Sequence, residues 1–444
     1  MFDNSRLRTD VLVIGSGGAG MRAAIAASNC NVEVMMISKG RIGRDGSTVV
    51  ASADVNVDSR TCKKMFKLPG KDEDSKEIFF EDTVIAGKYL NNQKLVQILV
   101  EDIPYRLNEL FEWGAKPKHL YRTPGHRYPR GIWIDGQDFA LTLAREVKRN
   151  KIKIIEDCLA LELAVDNNNV IGAYSLDLKT GSFITISAKA VLIATGGAMG
   201  VFSLATSPNH LTGDGMAMAY RAGAELIDME FPMFLIASCT PPAVSGLVYP
   251  FALLARVGAH LYNSRGERFM QKWDPMLMEQ TTRDFLAVGT HLEMIEGRGG
   301  PNGGVWVSIK HLPDNLIDYF HEWYGKWHGK GKYRYECFNI KDIFKSLENN
   351  AIEVKPAAHF WSGGVVIDAN GSSSVPGLFA AGEVTGGVHG ANRLSGNAMS
   401  EILVWGFRSG IAAANYAKKT LLYRYNSRQE KDIFKRIKGF VYGS

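Results

Sequence analysis

Cysteine is scarce in this chain of 444 residues: there are five, at positions 30, 62, 158, 239 and 337, and no two form a Cys-x-x-Cys pair. That spacing excludes a disulfide scaffold and offers no zinc site and no iron–sulfur cluster ligated by the chain itself; a reducing compartment, the cytoplasm, is expected. Proline is sparse as well, at 15, and neither sign of charge dominates, with 52 basic against 46 acidic side chains and a net +6. So mild an excess favours small anionic ligands, and no nucleic-acid module accompanies it. No unbroken membrane-length apolar run is present: residues 231–255 carry no charge, but Pro232, Pro241, Pro242 and Pro250 interrupt them. Irregular backbone of that kind belongs inside protein, not in a bilayer. The opening MFDNSRLRTD is charged and runs straight into an apolar stretch, so no signal peptide is expected. Fixed-period repeats and low-complexity tracts are missing. With 45% hydrophobic and 22% charged residues the chain reads as folded and globular, long enough for two or three domains.

Glycine, by contrast, is abundant at 46 residues, and its clusters fall where a chain needs close approach to a ligand. Asp10 to Ile14 reads as a buried strand, Gly15-Ser16-Gly17-Gly18-Ala19-Gly20 as a turn, Met21 to Ser28 as an alanine-rich helix and Val32 to Ile37 as the next strand. A Gly-x-Gly-x-x-Gly placed between strand and helix lets a pyrophosphate meet backbone N–H groups at the positive helix end. The acidic ribose ligand usual after the second strand is replaced by Ser38-Lys39. Serine can still bond a ribose hydroxyl, and the lysine would suit a 2′-phosphate, as in NADP. Three later segments turn the balance toward a flavin: Ala194-Thr195-Gly196-Gly197 closes a strand, Thr212-Gly213-Asp214-Gly215 opens a helix, and a strand from Gly377 ends in Gly382-Glu383.

Between about 230 and 350 this pattern stops and a proline-broken, aromatic-rich region takes over, then the pattern resumes. The expected organisation is α/β: a Rossmann-like, glutathione-reductase-like FAD-binding domain in two parts, 1–229 and 351–420, an inserted α+β capping domain, 230–350, and a basic tail, 421–444. That tail, with six basic and two acidic residues, reads as a solvated terminal segment.

The last third narrows the assignment. His359-Phe360-Trp361-Ser362-Gly363-Gly364, then Val375-Pro376-Gly377-Leu378, then His389-Gly390-Ala391-Asn392-Arg393-Leu394-Ser395-Gly396-Asn397 resemble the signatures of the fumarate reductase/succinate dehydrogenase flavoprotein family, which also contains L-aspartate oxidase. Gly125-His126-Arg127-Tyr128-Pro129-Arg130, Gly266-Glu267-Arg268-Phe269-Met270 and Thr281-Thr282-Arg283-Asp284 add to the resemblance, which spans about 9–417. It implies FAD contacts along the glycine turn, at Gly46-Ser47-Thr48, Asp214, Glu383, Asn392, Arg393 and Ser395-Gly396-Asn397. It implies that Arg393 and His359 bind a substrate carboxylate, joined by Arg256, and that Arg283 donates the proton to the substrate carbon. An arginine is a poor general acid on pKa grounds, so its electrostatic effect must share that task.

The chain also departs from the family. The places that hold the second carboxylate and relay protons carry Leu235, Ala252 and Leu253, so that pocket reads as apolar. The histidine that links FAD covalently in respiratory members is matched by Ser47, so noncovalent FAD is expected. The long helical C-terminal domain of the respiratory subunits is not expected here. The activity implied is hydride exchange with a small fumarate- or succinate-like carboxylate. Its alternatives are an L-aspartate oxidase and an FAD-carrying electron-transfer subunit without dicarboxylate turnover. An iron–sulfur partner subunit is expected, and through it a position peripheral to a membrane; a resident metal is not.

Overall fold

The computed structural model describes residues 4–240, 245–319, 351–422 and 427–442. Two compact units make up the chain: Met1–Ala198, Leu211–Phe231 and Trp361–Ser444 form the first, and Met199–His210 with Pro232–Phe360 the second.

The first unit is built on a seven-stranded sheet of β1 (Asn4–Ile14), β2 (Val34–Ile37), β3 (Lys153–Ile155), β4 (Cys158–Asp166), β5 (Asn169–Asp177), β6 (Phe183–Ile193) and β11 (Leu378–Ala380). Their order is β3-β2-β1-β6-β5-β4, with β11 also paired to β6. Val11 to Ile14 and Ala190 to Ile193 are unbroken buried runs, because parallel strands covered on both faces have no solvent side to alternate with. The parallel register aligns Ile14 with Ile37 and with Ile193, and Ala380 with Ile193. Four strands therefore end level at one carboxyl edge, and Gly15, Ser38, Ala194 and the Gly382-Glu383 turn follow along it. Open α/β sheets bind ligands at this edge.

Helices α1 (Gly18–Ser28) and α5 (Asn397–Lys419) pack through glycine: a Cβ on Gly410 would stand 2.3 Å from the Ala23 carbonyl oxygen. The tail departs from the solvated segment expected. Ser427–Tyr442 forms α6, with Ile433 buried among Ala164, Ile171 and Tyr174, and with the Phe434 ring stacked on Phe183 at 4.0 Å. Glu430 accepts from Arg6 at 3.1 Å and from Thr185 at 2.6 Å. An amphipathic face among the basic residues supplies the docking surface that net charge alone conceals.

The second unit holds a four-stranded sheet, in order β7 (Pro232–Ser238), β10 (Ala351–Trp361), β9 (Val305–Ser308), β8 (His260–Tyr262). Helices α3 (Tyr249–Val257) and α4 (Arg283–Glu293) complete an α+β arrangement over a core that includes Ile236, Leu254, Leu261, Leu286 and Val307. Its boundaries extend past the expected 230–350. Strand β10 carries the sheet on to residue 360, and the 199–210 segment joins it, with the Ala358 N–H on Leu204 O and the Thr206 N–H on Ala358 O, both at 2.9 Å. Pro241 and Pro242 lie outside the described residues; around them the uncharged stretch is strand β7 and helix α3. Among the described residues no helix is long and apolar enough to cross a membrane.

Candidate functional site

At the head of α1, two glycines are required by packing and one leaves space. A Cβ on Gly15, which has φ +109°, would lie 2.3 Å from Ala194 O, and one on Gly20 would lie 2.0 Å from Gly15 O. Gly17 has nothing nearer than the Thr48 hydroxyl at 3.8 Å. It caps the helix without a side-chain bond, and the Gly18 N–H donates to Thr48 Oγ1 at 3.0 Å, while Ala19 packs inward. The start of α1 thus presents N–H groups to an uncovered space at its positive end. Beside it Gly46, at φ +95°, has nothing within 4 Å, and the buried Ser47 Oγ has no hydrogen-bond partner among the described residues. The Thr195 hydroxyl, next to Gly196 on the same sheet edge, is buried and unpartnered too. Such atoms are uncommon in folded proteins. An open glycine cradle flanked by unsatisfied hydroxyls fits a ligand of phosphates and hydroxyl groups, as FAD is.

Ser38 and Lys39 part company. Ser38 Oγ meets Ser16 Oγ at 2.7 Å, tying the ends of β2 and β1 together. Lys39 Nζ donates to Asp214 Oδ2 at 2.6 Å, and Asp214 opens helix α2 (Asp214–Arg221). That ion pair matches the lysine's charge within the protein.

At the end of β11, Gly382 has φ +77°, and a Cβ there would lie 2.8 Å from Ala19 Cβ. Glu383 rests against Gly197, where any Cβ would strike its Oε1 at 2.3 Å, and accepts the Trp361 N–H at 3.0 Å. Burial pushes this carboxyl up to about 7, with Glu401 adding to the rise; the Trp361 and Gly197 N–H groups and the Arg393 charge pull against it. Arg393 is buried and donates to Leu394 O at 3.3 Å; Asn392, before it, is half-buried. His389 and Glu401, both buried, pair at 3.0 Å.

Behind Ser395-Gly396-Asn397 lies a network whose function the sequence reading missed. Asn56 Nδ2 donates to Ser395 O at 2.5 Å and to Asn397 Oδ1 at 2.7 Å, and His126 Nε2 meets Ser395 O at 2.9 Å. Arg130, fully buried, donates through Nε to Asp74 Oδ2 at 2.7 Å and through Nη2 to Asp74 Oδ1 at 2.6 Å, and also pairs with Asp82. His126 and Arg130 were visible only as parts of a signature; Asn56, Asp74 and Asp82 are isolated polar residues with no local pattern.

The second unit carries the remaining expected groups. His359 Nδ1 lies 2.7 Å from Thr206 Oγ1, a partner unforeseen in the sequence because 153 residues separate them. Arg283 is half-buried at the first position of α4. Its helix is capped by Thr282 without a side-chain bond, and the Thr281 side chain bonds Asp274. Arg256 belongs to α3, and its side chain lies outside the described residues. Leu235 and Leu253 are 2% and 0% exposed. Leu235 packs with Ala237, Ala357, Leu204 and Val248, while Ala252 packs against the larger apolar cluster of this unit. Among the described residues no cluster of three or more His, Cys, Asp or Glu is arranged to hold a metal.

Known proteins resemble this chain over nearly its whole length. The FAD binding domain family model matches residues 10–399. Over 442 residues the chain is 36% identical to one of the subunits of the CoM/CoB fumarate reductase of Methanothermobacter marburgensis, covering 97% of this chain and 77% of that one. It is 31% identical to the L-aspartate oxidase of Yersinia pestis over 92% of this chain and 75% of that protein. The FrdA chain of Escherichia coli quinol fumarate reductase superposes with a TM-score of 0.80 at 28% identity, covering 98% of this chain and 75% of that chain.

Proposed function

We propose a substrate for a chain that belongs to the FAD-binding family of fumarate reductase and succinate dehydrogenase flavoproteins and is an FAD-dependent oxidoreductase: a small fumarate- or succinate-like carboxylate, oxidised or reduced at the carbon–carbon bond beside that group. Arg393 carries this reading. It is a buried guanidinium whose charge reaches Glu383 through space, at the end of the sheet edge where the glycine cradle lies. Its planar fork matches a carboxylate in two parallel hydrogen bonds.

FAD, when bound, supplies the two-electron acceptor and donor. The Gly17 and Gly18 region and Ser47 would hold its phosphates, Ser38 a ribose, and Thr195, Glu383 and the N–H groups of 395–397 its flavin end. Ser47 offers no imidazole for a covalent link, so the cofactor is held noncovalently. In the second unit His359, its Nδ1 engaged by the Thr206 hydroxyl, is the group that would bond a substrate carboxylate. Arg283 holds a proton for the substrate carbon and, being far too basic to release it readily, acts as much by stabilising charge that develops there. An iron–sulfur partner passes the electrons onward singly.

One observation favours a second reading. Leu235 and Leu253 are built into apolar clusters, so these positions offer no hydrogen bond to a second carboxylate. An electron-carrying subunit of a larger redox complex, without dicarboxylate turnover, has no need of one. The deciding experiment is anaerobic reduction of the purified flavoprotein followed by fumarate, with L-aspartate added to the oxidised form. Rapid reoxidation by fumarate is expected. Bleaching by L-aspartate moves the assignment to an oxidase, and indifference to both supports the electron carrier.

A further inference from the structure

We infer that His126, held by the buried Arg130–Asp74–Asp82 cluster, is a positioning residue that clamps the Ser395 carbonyl and so turns the Gly396 N–H toward the bound flavin. The inference rests on the proposed function in one respect, that the 395–397 turn faces the cofactor.

The geometry runs outward from the fixed charges. Arg130 has no exposure and is held at both terminal nitrogens, by Asp74 on one side and Asp82 on the other. Asp74 also accepts the Ser59 N–H at 2.7 Å, and Asp82 accepts the Arg127 N–H at 3.0 Å, so neither carboxylate can swing away without losing backbone bonds. A guanidinium has no acceptor, so where its Nη1 approaches His126 Nδ1, at 3.4 Å, the imidazole nitrogen must be the one without a proton. The proton then resides on Nε2, which donates to Ser395 O at 2.9 Å. Burial, with the Arg130 charge adding to it, pushes the imidazole down to about 4, so it stays neutral in this tautomer. Asn56 Nδ2 donates to the same oxygen from the other side.

A trans peptide holds its C=O and N–H in one plane, pointing in opposite directions. Two donors drawing the Ser395 oxygen into the interior therefore aim the Gly396 N–H the opposite way, and that N–H makes no hydrogen bond to another described residue. The turn has no alternative setting: Gly396 has φ +86°, and a Cβ there would stand 2.4 Å from Asn56 Oδ1. Clamp and glycine together leave an oriented donor at the head of α5, where the helix dipole adds to its pull on negative charge.

The test uses the full chain stripped of FAD and titrated back, with the dissociation constant read by flavin fluorescence and the midpoint potential of the reloaded protein measured. His126→Phe keeps the ring and removes the donor; it is expected to weaken FAD about tenfold or more and to lower the potential, because a buried carbonyl loses a partner and the turn is freed. His126→Gln restores an N–H near the Nε2 position and is expected to stay within about threefold of wild type. Should the Phe variant not fold, Asn56→Ala, which removes the second donor to the same oxygen, is read in the same way. Native affinity and potential in the donor-less variants overturn the clamp, and a Gln variant as impaired as Phe overturns it in favour of simple packing. Gly396→Ala separates the two readings. If it leaves FAD binding and potential unchanged, the turn does not face the flavin; if it alters them while His126→Phe does not, only the clamp fails.

Discussion

Glu383 in the first unit and Glu293 in the second are both shielded carboxylates, yet the first is pushed up to about 7 and the second held down at about 2. Glu293 is answered by its own fold: Arg298 donates to both of its oxygens, and Asn263 and Trp273 complete the set. Glu279 and Glu353 of the same unit are likewise engaged, by Arg268 and by Asn302 with the Gly304 N–H. Glu383 has two N–H donors and an arginine acting through space, too little to offset burial. A charge the fold satisfies is part of its architecture, whereas one it leaves strained marks where a ligand is meant to complete the set. The charges of the second unit are answered internally; in the first, Glu383 is left strained at the sheet's carboxyl edge.

The most severe way to break the comparison is to force apart the turn that shapes the cradle. Gly20→Ala sets a Cβ 2.0 Å from Gly15 O, and an apparent FAD affinity loss of about a hundredfold or more is expected by titration, with a lower melting temperature. Next is Arg283→Lys, expected to lower turnover by about 10²–10⁴ while flavin absorbance is retained; loss of flavin would mean that this arginine serves the cradle instead. Glu383→Gln sharpens the contrast through pH. The folded pKa lies above the unfolded one, so the wild-type apoprotein is stabilised below the ordinary carboxylate range and loses that stability as pH rises toward and past 7. The Gln apoprotein is expected to match wild type at pH 4 and to exceed it at pH 8 by up to about 3 kcal/mol in urea unfolding. Glu293→Gln has the opposite sign. Its pKa is depressed, so the wild-type contribution is present at neutral pH and disappears as pH falls toward 2. A loss of about 2 kcal/mol at pH 7 with FAD affinity unchanged is expected. Smallest of all, acid precipitation of the holoprotein is expected to leave no flavin in the pellet, and retained yellow colour would reveal a covalent link despite Ser47.

The cofactor edge was legible because its requirements are local. A glycine on which a Cβ would fall within 2.3 Å of a carbonyl oxygen admits no other residue, and strands buried on both faces have unbroken apolar runs, so Gly15, Gly20 and the ends of β1, β2, β6 and β11 announce themselves. The partner of Lys39 was not legible because Asp214 lies 175 residues away. The tail was misread because charge outnumbers the few apolar residues that dock it. The 199–210 segment gave no warning that it pairs with β10, since two isolated backbone hydrogen bonds require no particular side chain. Asn56, Asp74 and Asp82 were silent for a related reason: a polar residue looks the same in solvent as it does at the centre of a buried network.

What the sequence determined by itself was the FAD-binding frame, since close packing and helix-end chemistry select residue types within a few positions of one another. What only the tertiary structure decided was which charges are answered. Whether Lys39 is available, whether Glu383 is strained, which nitrogen of His126 carries its proton and what holds His359 all depend on partners brought from distant parts of the chain. Electrostatic interactions and desolvation act through space, and the order of residues along a chain does not record those distances.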